Sequence, residues 1–268
     1  MGSGRSGTTL LRSMFAAGGE IAIPPESQVI TASVRRFRTL QYLGWKDLVR
    51  LTIALFESGP NYSLWEVDLS HLHRELFNIP KDKRSLALII DFIMSVYRDT
   101  HFPRAKIWGD KSPLNSLHLP WIYKTFPEAK YLHLLRDGRD AVSSMAKRGR
   151  TLEQATYKWM RAVKEAEKLG KRLSKNRFLT VRYEDLVENP HDTMNEICDF
   201  LSVNYTPDML DFYKFESTKE ATTRSHHSNL KRPLFTESVG KWKERLKKEE
   251  QIYVLNRIGP TLKRFGYD

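Results

Sequence analysis

"MGSGRSGTTLLRSMF", residues 1–15, is the stretch on which the reading of this chain turns. Gly2, Gly4 and Gly7 spell G-x-G-x-x-G, the dinucleotide-binding fingerprint. Gly2 and Gly7 also bracket four residues as a Walker A loop does, but Thr8 stands where that loop carries lysine. The third reading is a phosphate loop with its cation inside it, at Arg5, and hydroxyls at Thr8 and Thr9. Each reading uses the same physics: glycines let backbone N–H groups face an anion, and the following helix adds its positive end. The fifteen residues alone leave all three open.

The rest of the chain supplies the context. "EIAI" (20–23), "AKIW" (105–108), "KYLHLL" (130–135) and "RFLTV" (177–181) are apolar runs of strand length. Helical patterns separate them: residues 8–17, most of 26–101, and Leu152 to Leu173. In that last segment apolar residues recur at spacings of three and four, as on an amphipathic helix. Strands alternating with helices predict an α/β fold, a parallel sheet flanked by helices in a single domain spanning 1–268. Residues 215–236 lack periodicity and read as a long polar loop of the kind that serves as a lid.

In an open parallel sheet, ligands bind beyond the carboxyl ends of the strands. There the sequence places Lys111 in "GDKSP", Arg136 in "RDGRDAVSSMAKRG", and Arg182 and Tyr183 in "RYEDL". Arg5 joins them from the opening loop. One such cation is commonly a surface ion pair; several at one sheet edge point to an anion. Asp140, Ser144 and Arg148 recur every four residues after Arg136 and so share a helix face. Two guanidinium groups and a hydroxyl can then converge on one tetrahedral anion. With the opening loop as a second anion site, a molecule carrying two separated phosphates fits both.

Composition limits the classes. Lysine and arginine exceed aspartate and glutamate by 12 over 268 residues, which favours a polyanionic partner. The aromatics Trp45, Trp65 and Trp121 are not interleaved with basic residues, so no nucleic-acid partner is expected. The longest apolar run, "LALIIDFIMSV", contains Asp91 and is too short to span a bilayer. No secretion signal is evident either. A cytoplasmic chain is therefore expected, with an upstream anchor or signal left open because the motif lies so near the start. Cys198 sits at helical spacing in "MNEICDFL" and reads as a buried structural thiol. No H-E-x-x-H and no cysteine pair calls for a metal. The oligomeric state cannot be read from the sequence.

"GSGRSGTTLLRSMF" and "LLRDGRDAVSS" resemble the 5′-phosphosulfate loop and the 3′-phosphate motif of the sulfotransferase family. "WGDKSP" and "VRYEDLVENP" fall in that family's order, and the gap from Arg136 to Ser144 also matches. The similarity covers nearly the whole chain and is closest to the branch with tyrosylprotein sulfotransferases and bacterial small-molecule enzymes. It implies a donor, 3′-phosphoadenosine 5′-phosphosulfate, and no metal. Arg5, Ser6, Gly7, Thr8 and Thr9 would hold the phosphosulfate. Arg136, Ser144 and Arg148 would grip the 3′-phosphate, and Tyr183, Ser228 and Lys241 would meet the nucleotide. Glu26 in "IPPESQ" falls where the tyrosylprotein branch carries its catalytic base, although the residues alone also allow a carboxylate favoured by a helix N-terminus. Lys111 would neutralise charge in the transition state. The acceptor would be a hydroxyl on a small molecule, a glycan or a protein tyrosine.

One departure from the family pattern stands out. An apolar strand usually precedes the loop, and here only Met1 does, so the first strand is expected to be truncated. That keeps a non-catalytic nucleotide-binding relative as the alternative, with a nucleic-acid-binding protein and an NAD-type Rossmann enzyme below it. The Rossmann reading leaves Arg5, Arg136, Ser144 and Arg148 without a role. A triphosphate-hydrolysing enzyme would need lysine in place of Thr8.

Overall fold

Two parallel strand ladders organise the computed structural model, which describes residues 1–215 and 230–267. In chain order the elements are α1 (Thr8–Gly18), β1 (Ile21–Ala22), α2 (Ile30–Thr39), α3 (Trp45–Glu57), α4 (Leu72–Phe77), α5 (Leu86–His101) and β2 (Ile107–Trp108). They continue with α6 (Leu119–Thr125), β3 (Tyr131–Leu135), α7 (Gly138–Ala146), α8 (Leu152–Gly170) and β4 (Phe178–Arg182). The last described elements are α9 (Tyr183–Glu188), α10 (Pro190–Leu201), α11 (Trp242–Arg245) and α12 (Lys248–Arg264). All four apolar runs of the sequence are strands, and both ladders are parallel. The fold is α/β, parallel strands flanked by helices. Contacts divide it into two compact units, each described by itself.

The first unit comprises Met1–Leu11, Lys130–Tyr205 and Arg232–Asp268. Here β3 and β4 run in register from Tyr131↔Phe178 to Leu135↔Arg182. Alternate residues of a strand bond to opposite neighbours. Tyr131 N–H goes to Arg177 on the β4 side, while Leu134 N–H donates to the Met1 carbonyl at 2.9 Å. Met1 N in turn donates to the Leu132 carbonyl at 2.6 Å. Met1 thus makes the bond pair of a parallel ladder and tethers the opening loop to β3. The unit's core gathers Leu135, Val142, Trp159, Trp242, Val254 and Ile258, all buried. On α8 the buried positions Ala155, Trp159, Ala162, Ala166 and Leu169 form the expected stripe. Truncating Trp159 to alanine would cost about 3–5 kcal/mol on general grounds.

The second unit comprises Arg12–Ala129 and Thr206–Lys231. The helical stretch expected over 26–101 forms α2 to α5. Ser85 caps α5 by accepting the Leu88 N–H at 3.1 Å. Leu86, Ile89, Ile90, Ile93, Met94 and Tyr97 then bury one face of it. Trp65, only 1 % exposed, packs edge-on against Phe56 and Tyr97. A tryptophan so enclosed cannot serve as a stacking platform. β1 and β2 pair Ile21↔Ile107 and Ala22↔Trp108. Among the described residues no helix is long and apolar enough to cross a membrane, and Cys198 is buried and in no disulfide.

Candidate functional site

The opening loop is shaped by close approaches. A Cβ on Gly2 would meet the Leu134 carbonyl at 2.7 Å, and one on Gly7 the Tyr183 ring at 2.3 Å. Gly7 also has φ of +86°, whereas a Cβ on Gly4 would make only an ordinary contact with Met145. The first and third glycines are therefore required by the fold, and the second is not. Arg5 takes φ of +68°, an uncommon conformation for a residue with a side chain. Its surroundings hold it there: Nε donates to Ser144 Oγ at 3.3 Å and its carbonyl accepts Arg136 Nη1 at 3.0 Å. Ser6 is buried, its hydroxyl paired with Ser3 at 2.6 Å, so a contact from Ser6 to an anion would come through its backbone N–H. Thr8 and Thr9 open α1, where N–H groups and the helix dipole favour negative charge.

Arg136 follows β3 directly. Trp159 Nε1 holds its carbonyl at 3.2 Å, Nη2 donates to the Ser238 carbonyl at 2.7 Å, and the guanidinium lies 4.5 Å over the Tyr183 ring. Its Nε is buried without a partner. Tyr183 hydroxyl pairs with Ser238 Oγ at 2.7 Å. On α7, Asp140 is fully buried, and both its oxygens accept backbone N–H groups, from Gly240 at 2.7 Å and Trp242 at 2.8 Å. Burial raises the pKa of this carboxyl, against the pull of Arg136 and those two N–H groups. The Arg5 guanidinium is pushed down to about 10, first by burial and then by the charges of Arg148, Arg136 and Arg245. None of these four arginines forms an ion pair with a carboxylate among the described residues. Such a cluster is a place for an anion.

In the second unit the β1–β2 register sends two chain segments off one edge. Past Ala22 the chain runs through Ile23-Pro24-Pro25 to Glu26; past Trp108 it reaches Lys111 within three residues. Backbone carbonyls of the turn are fixed by side chains: Ile23 by Arg12 Nε at 2.7 Å, Pro25 by Trp65 Nε1 at 2.9 Å, Glu26 by Asn61 Nδ2 at 2.7 Å. Lys111 Nζ donates to Glu26 Oε1. Among the described residues no hydrogen bond to Oε2 accompanies this contact. Burial lowers the pKa of the Lys111 ammonium, with the Glu26 carboxylate acting against that shift. Asp110, its carboxyl pKa raised by burial, accepts from Ser112 at 3.2 Å and Asn115 at 2.5 Å and so stiffens the segment that carries Lys111.

Residues 1–207 match the profile described as "Sulfotransferase family". The chain belongs to the sulfotransferase family. Relatives similar over 98 % of it include a protein-tyrosine sulfotransferase of Drosophila melanogaster, 25 % identical, and protein-tyrosine sulfotransferase A of Caenorhabditis elegans, 26 % identical. The chain spans 50 % and 65 % of those two proteins. Among solved structures, the sulfotransferase domain of the Synechococcus PCC 7002 olefin synthase is similar in fold, with a TM-score of 0.68 at 23 % identity. That alignment covers all of this chain and 93 % of that one. The sulfotransferase domain of the curacin biosynthetic pathway follows, with a TM-score of 0.62 at 20 % identity over 100 % and 96 % of the two chains.

With the family in hand, the expected positions sort by unit. Arg5, Ser6, Gly7, Thr8, Thr9, Arg136, Ser144, Arg148 and Tyr183 lie in the first unit, and Glu26 with Lys111 in the second. Arg148 sits just past α7, which ends at Ala146 with tight closing bonds to Met145 and Ala146, rather than on the helix itself. Lys241 caps α11 and reaches Glu244 at 3.6 Å. Ser228 lies outside the described residues. The sequence reading missed Ser238 and Arg245, and it gave Asp140 no partner. "SVGKWKER" carries a serine and basic residues beside a glycine, but only contact with α7 makes them part of this site.

Proposed function

We propose that this sulfotransferase moves a sulfonyl group from 3′-phosphoadenosine 5′-phosphosulfate to an acceptor hydroxyl. The observation that carries the reading is the convergence of Arg5, Arg136 and Ser144, with Arg148 nearby, where none of the three arginines forms an ion pair with a carboxylate among the described residues. The donor's phosphates would be held there and on the loop N–H groups of residues 5–9. Glu26 would take the acceptor proton at Oε2 as the acceptor oxygen attacks sulfur. The bond from sulfur to the phosphate oxygen breaks, and adenosine 3′,5′-bisphosphate leaves with the electron pair. Lys111, already bound to Oε1, would hold Glu26 in place and offer positive charge to the transferring group. Related proteins named as acting on protein tyrosine support a phenolic hydroxyl as the first acceptor to try.

The test combines Glu26→Gln with a labelled sulfate donor and a panel of tyrosine peptides, phenols and sugars. General-base removal typically costs 10²–10⁴-fold in rate. Loss of transfer on that scale with unchanged affinity for adenosine 3′,5′-bisphosphate supports the assignment. Full turnover by Glu26→Gln removes Glu26 from the mechanism, and failure of the wild-type chain to bind the bisphosphate ends the donor reading.

A further inference from the structure

The Glu26–Lys111 pair stands where the second unit's strand ladder has already ended. Gly109 N–H donates to the Ala22 carbonyl at 2.9 Å as the two strands finish. Glu26 and Lys111 both lie beyond that bond, on segments that leave the sheet. Just after Glu26, Gln28 takes φ of +57°, an uncommon conformation for a residue with a side chain. Such a conformation persists only where its surroundings enforce it. Ser27 supplies part of that support. It is buried, its hydroxyl accepts the Val29 N–H at 3.5 Å, and it donates to Asp110 Oδ1 at 3.4 Å.

Asp110 is where the two segments meet. From one side it receives Ser27, the residue after Glu26. From the other it receives Ser112, the residue after Lys111, on Oδ1 at 3.2 Å, and Asn115 on Oδ2 at 2.5 Å. Asn115 is buried as well, and its Oδ1 accepts the Thr31 hydroxyl at 3.1 Å, a second link to the chain that follows Glu26. One carboxylate thus ties the turn bearing the base to the segment bearing the lysine. Proton abstraction is sensitive to such ties, because misplacing a reacting group by about 1 Å can cost about 10²-fold in rate.

We propose that Asp110 is a positioning residue for the transfer step, holding Glu26 and Lys111 in register through Ser27, Ser112 and Asn115. This rests on the reading of Glu26 as general base and adds the group that aims it. The hydrogen bonds matter here, not the negative charge. The amide of Asp110→Asn can turn its oxygen to Asn115 and its NH2 to the two serine hydroxyls, which accept as well as donate. Asp110→Ala offers nothing to either segment.

The test is steady-state transfer of labelled sulfate to whichever tyrosine peptide, phenol or sugar the wild type sulfates fastest, with calorimetry against adenosine 3′,5′-bisphosphate. Asp110→Ala is expected to lower kcat about 10²-fold, with acceptor KM and bisphosphate affinity changed less than about threefold. Asp110→Asn should recover kcat to within about tenfold of wild type. Asn115→Ala, which spares the carboxylate but breaks its Oδ2 bond and the Thr31 link, should cost about tenfold. It carries the test if Asp110→Ala does not fold. On a Glu26→Gln background, Asp110→Ala should cost less than about threefold more, because it acts through Glu26. Full kcat in both Asp110→Ala and Asn115→Ala, beside a slow Glu26→Gln, overturns this inference alone. An Asp110→Asn as slow as Asp110→Ala overturns the hydrogen-bond basis, and an undiminished loss on the Glu26→Gln background overturns the route through Glu26. Full turnover by Glu26→Gln, or a wild type that sulfates none of the panel, overturns the base reading and this inference together.

Discussion

The carboxylate of Asp140 holds the backbone N–H of Trp242 at 2.8 Å, across a hundred residues of sequence, and takes Gly240 with its other oxygen. This one side chain joins the helix after β3 to the segment bearing Ser238, Lys241 and Arg245. Asp140→Asn keeps the shape but turns one acceptor into a donor, which then faces an N–H. An unmet buried donor costs about 1–3 kcal/mol. The variant is expected to lose stability of that order in denaturant unfolding. It should also lose affinity for adenosine 3′,5′-bisphosphate at temperatures where it remains folded. Asp140→Glu, which keeps the charge, should restore part of the binding and less of the stability.

Glu26 and Lys111 form an ion pair with side chains 22 % and 11 % exposed. Removing either partner strands a largely enclosed charge, whereas removing both does not. In a double-mutant cycle, Glu26→Gln and Lys111→Met should each destabilise the protein. The double variant should be less unstable than their sum, with a coupling of about 1–3 kcal/mol. Additive effects in urea unfolding would show that the pair contributes nothing to the fold and that its value is catalytic only.

Burial pushes the His133 imidazole in β3 down to about 3, and its ring is 2 % exposed beside Thr180. The unfolded chain takes up a proton near the ordinary value of about 6.5 that the native protein refuses. Stability contributed by the neutral ring is therefore whole above that pH and falls as pH drops from about 6.5 toward 3, by at most about 1.4 kcal/mol per unit. The buried carboxyls of Asp140 and Glu184, raised by burial, act in the opposite sense. A comparison with His133→Leu cancels their part. Between pH 6.5 and 4.5 the wild type should lose about 2 kcal/mol more than the variant, measured as the difference in their unfolding free energies.

Strand positions and the cations at their ends were legible because each is a local pattern: an apolar run of four to six residues, then Lys111, Arg136 or Arg182. Glu26 and Lys111 could be named singly, but their meeting follows from the Ala22↔Trp108 register, which no local pattern encodes. Run lengths likewise do not say which strands pair, and the structure divides them into β1–β2 and β3–β4. The face carrying Asp140 and Ser144 was readable from spacing. The partners of Asp140 were not, since backbone N–H groups leave no trace in side-chain periodicity. Arg245 was hidden for a related reason: an exposed arginine among exposed lysines looks like solvated surface until α7 is seen to hold its helix.

The opening loop itself gives the sharpest test of how its glycines were to be read. A dinucleotide fingerprint uses all three, the second for close approach of the pyrophosphate. Here a Cβ on Gly4 would meet nothing nearer than Met145 Sδ at 3.6 Å, whereas one on Gly7 would enter the Tyr183 ring at φ of +86°. Gly4→Ala should therefore unfold within about 0.5 kcal/mol of the wild type and retain nucleotide binding. Gly7→Ala must both adopt a left-handed conformation, at about 1 kcal/mol or more, and displace a ring that Arg136 and Ser238 also hold. It should lose at least about 2 kcal/mol in unfolding experiments and bind adenosine 3′,5′-bisphosphate at least tenfold more weakly. If Gly4→Ala abolished nucleotide binding while leaving stability intact, the loop would be using its second glycine against a ligand, as a dinucleotide site does.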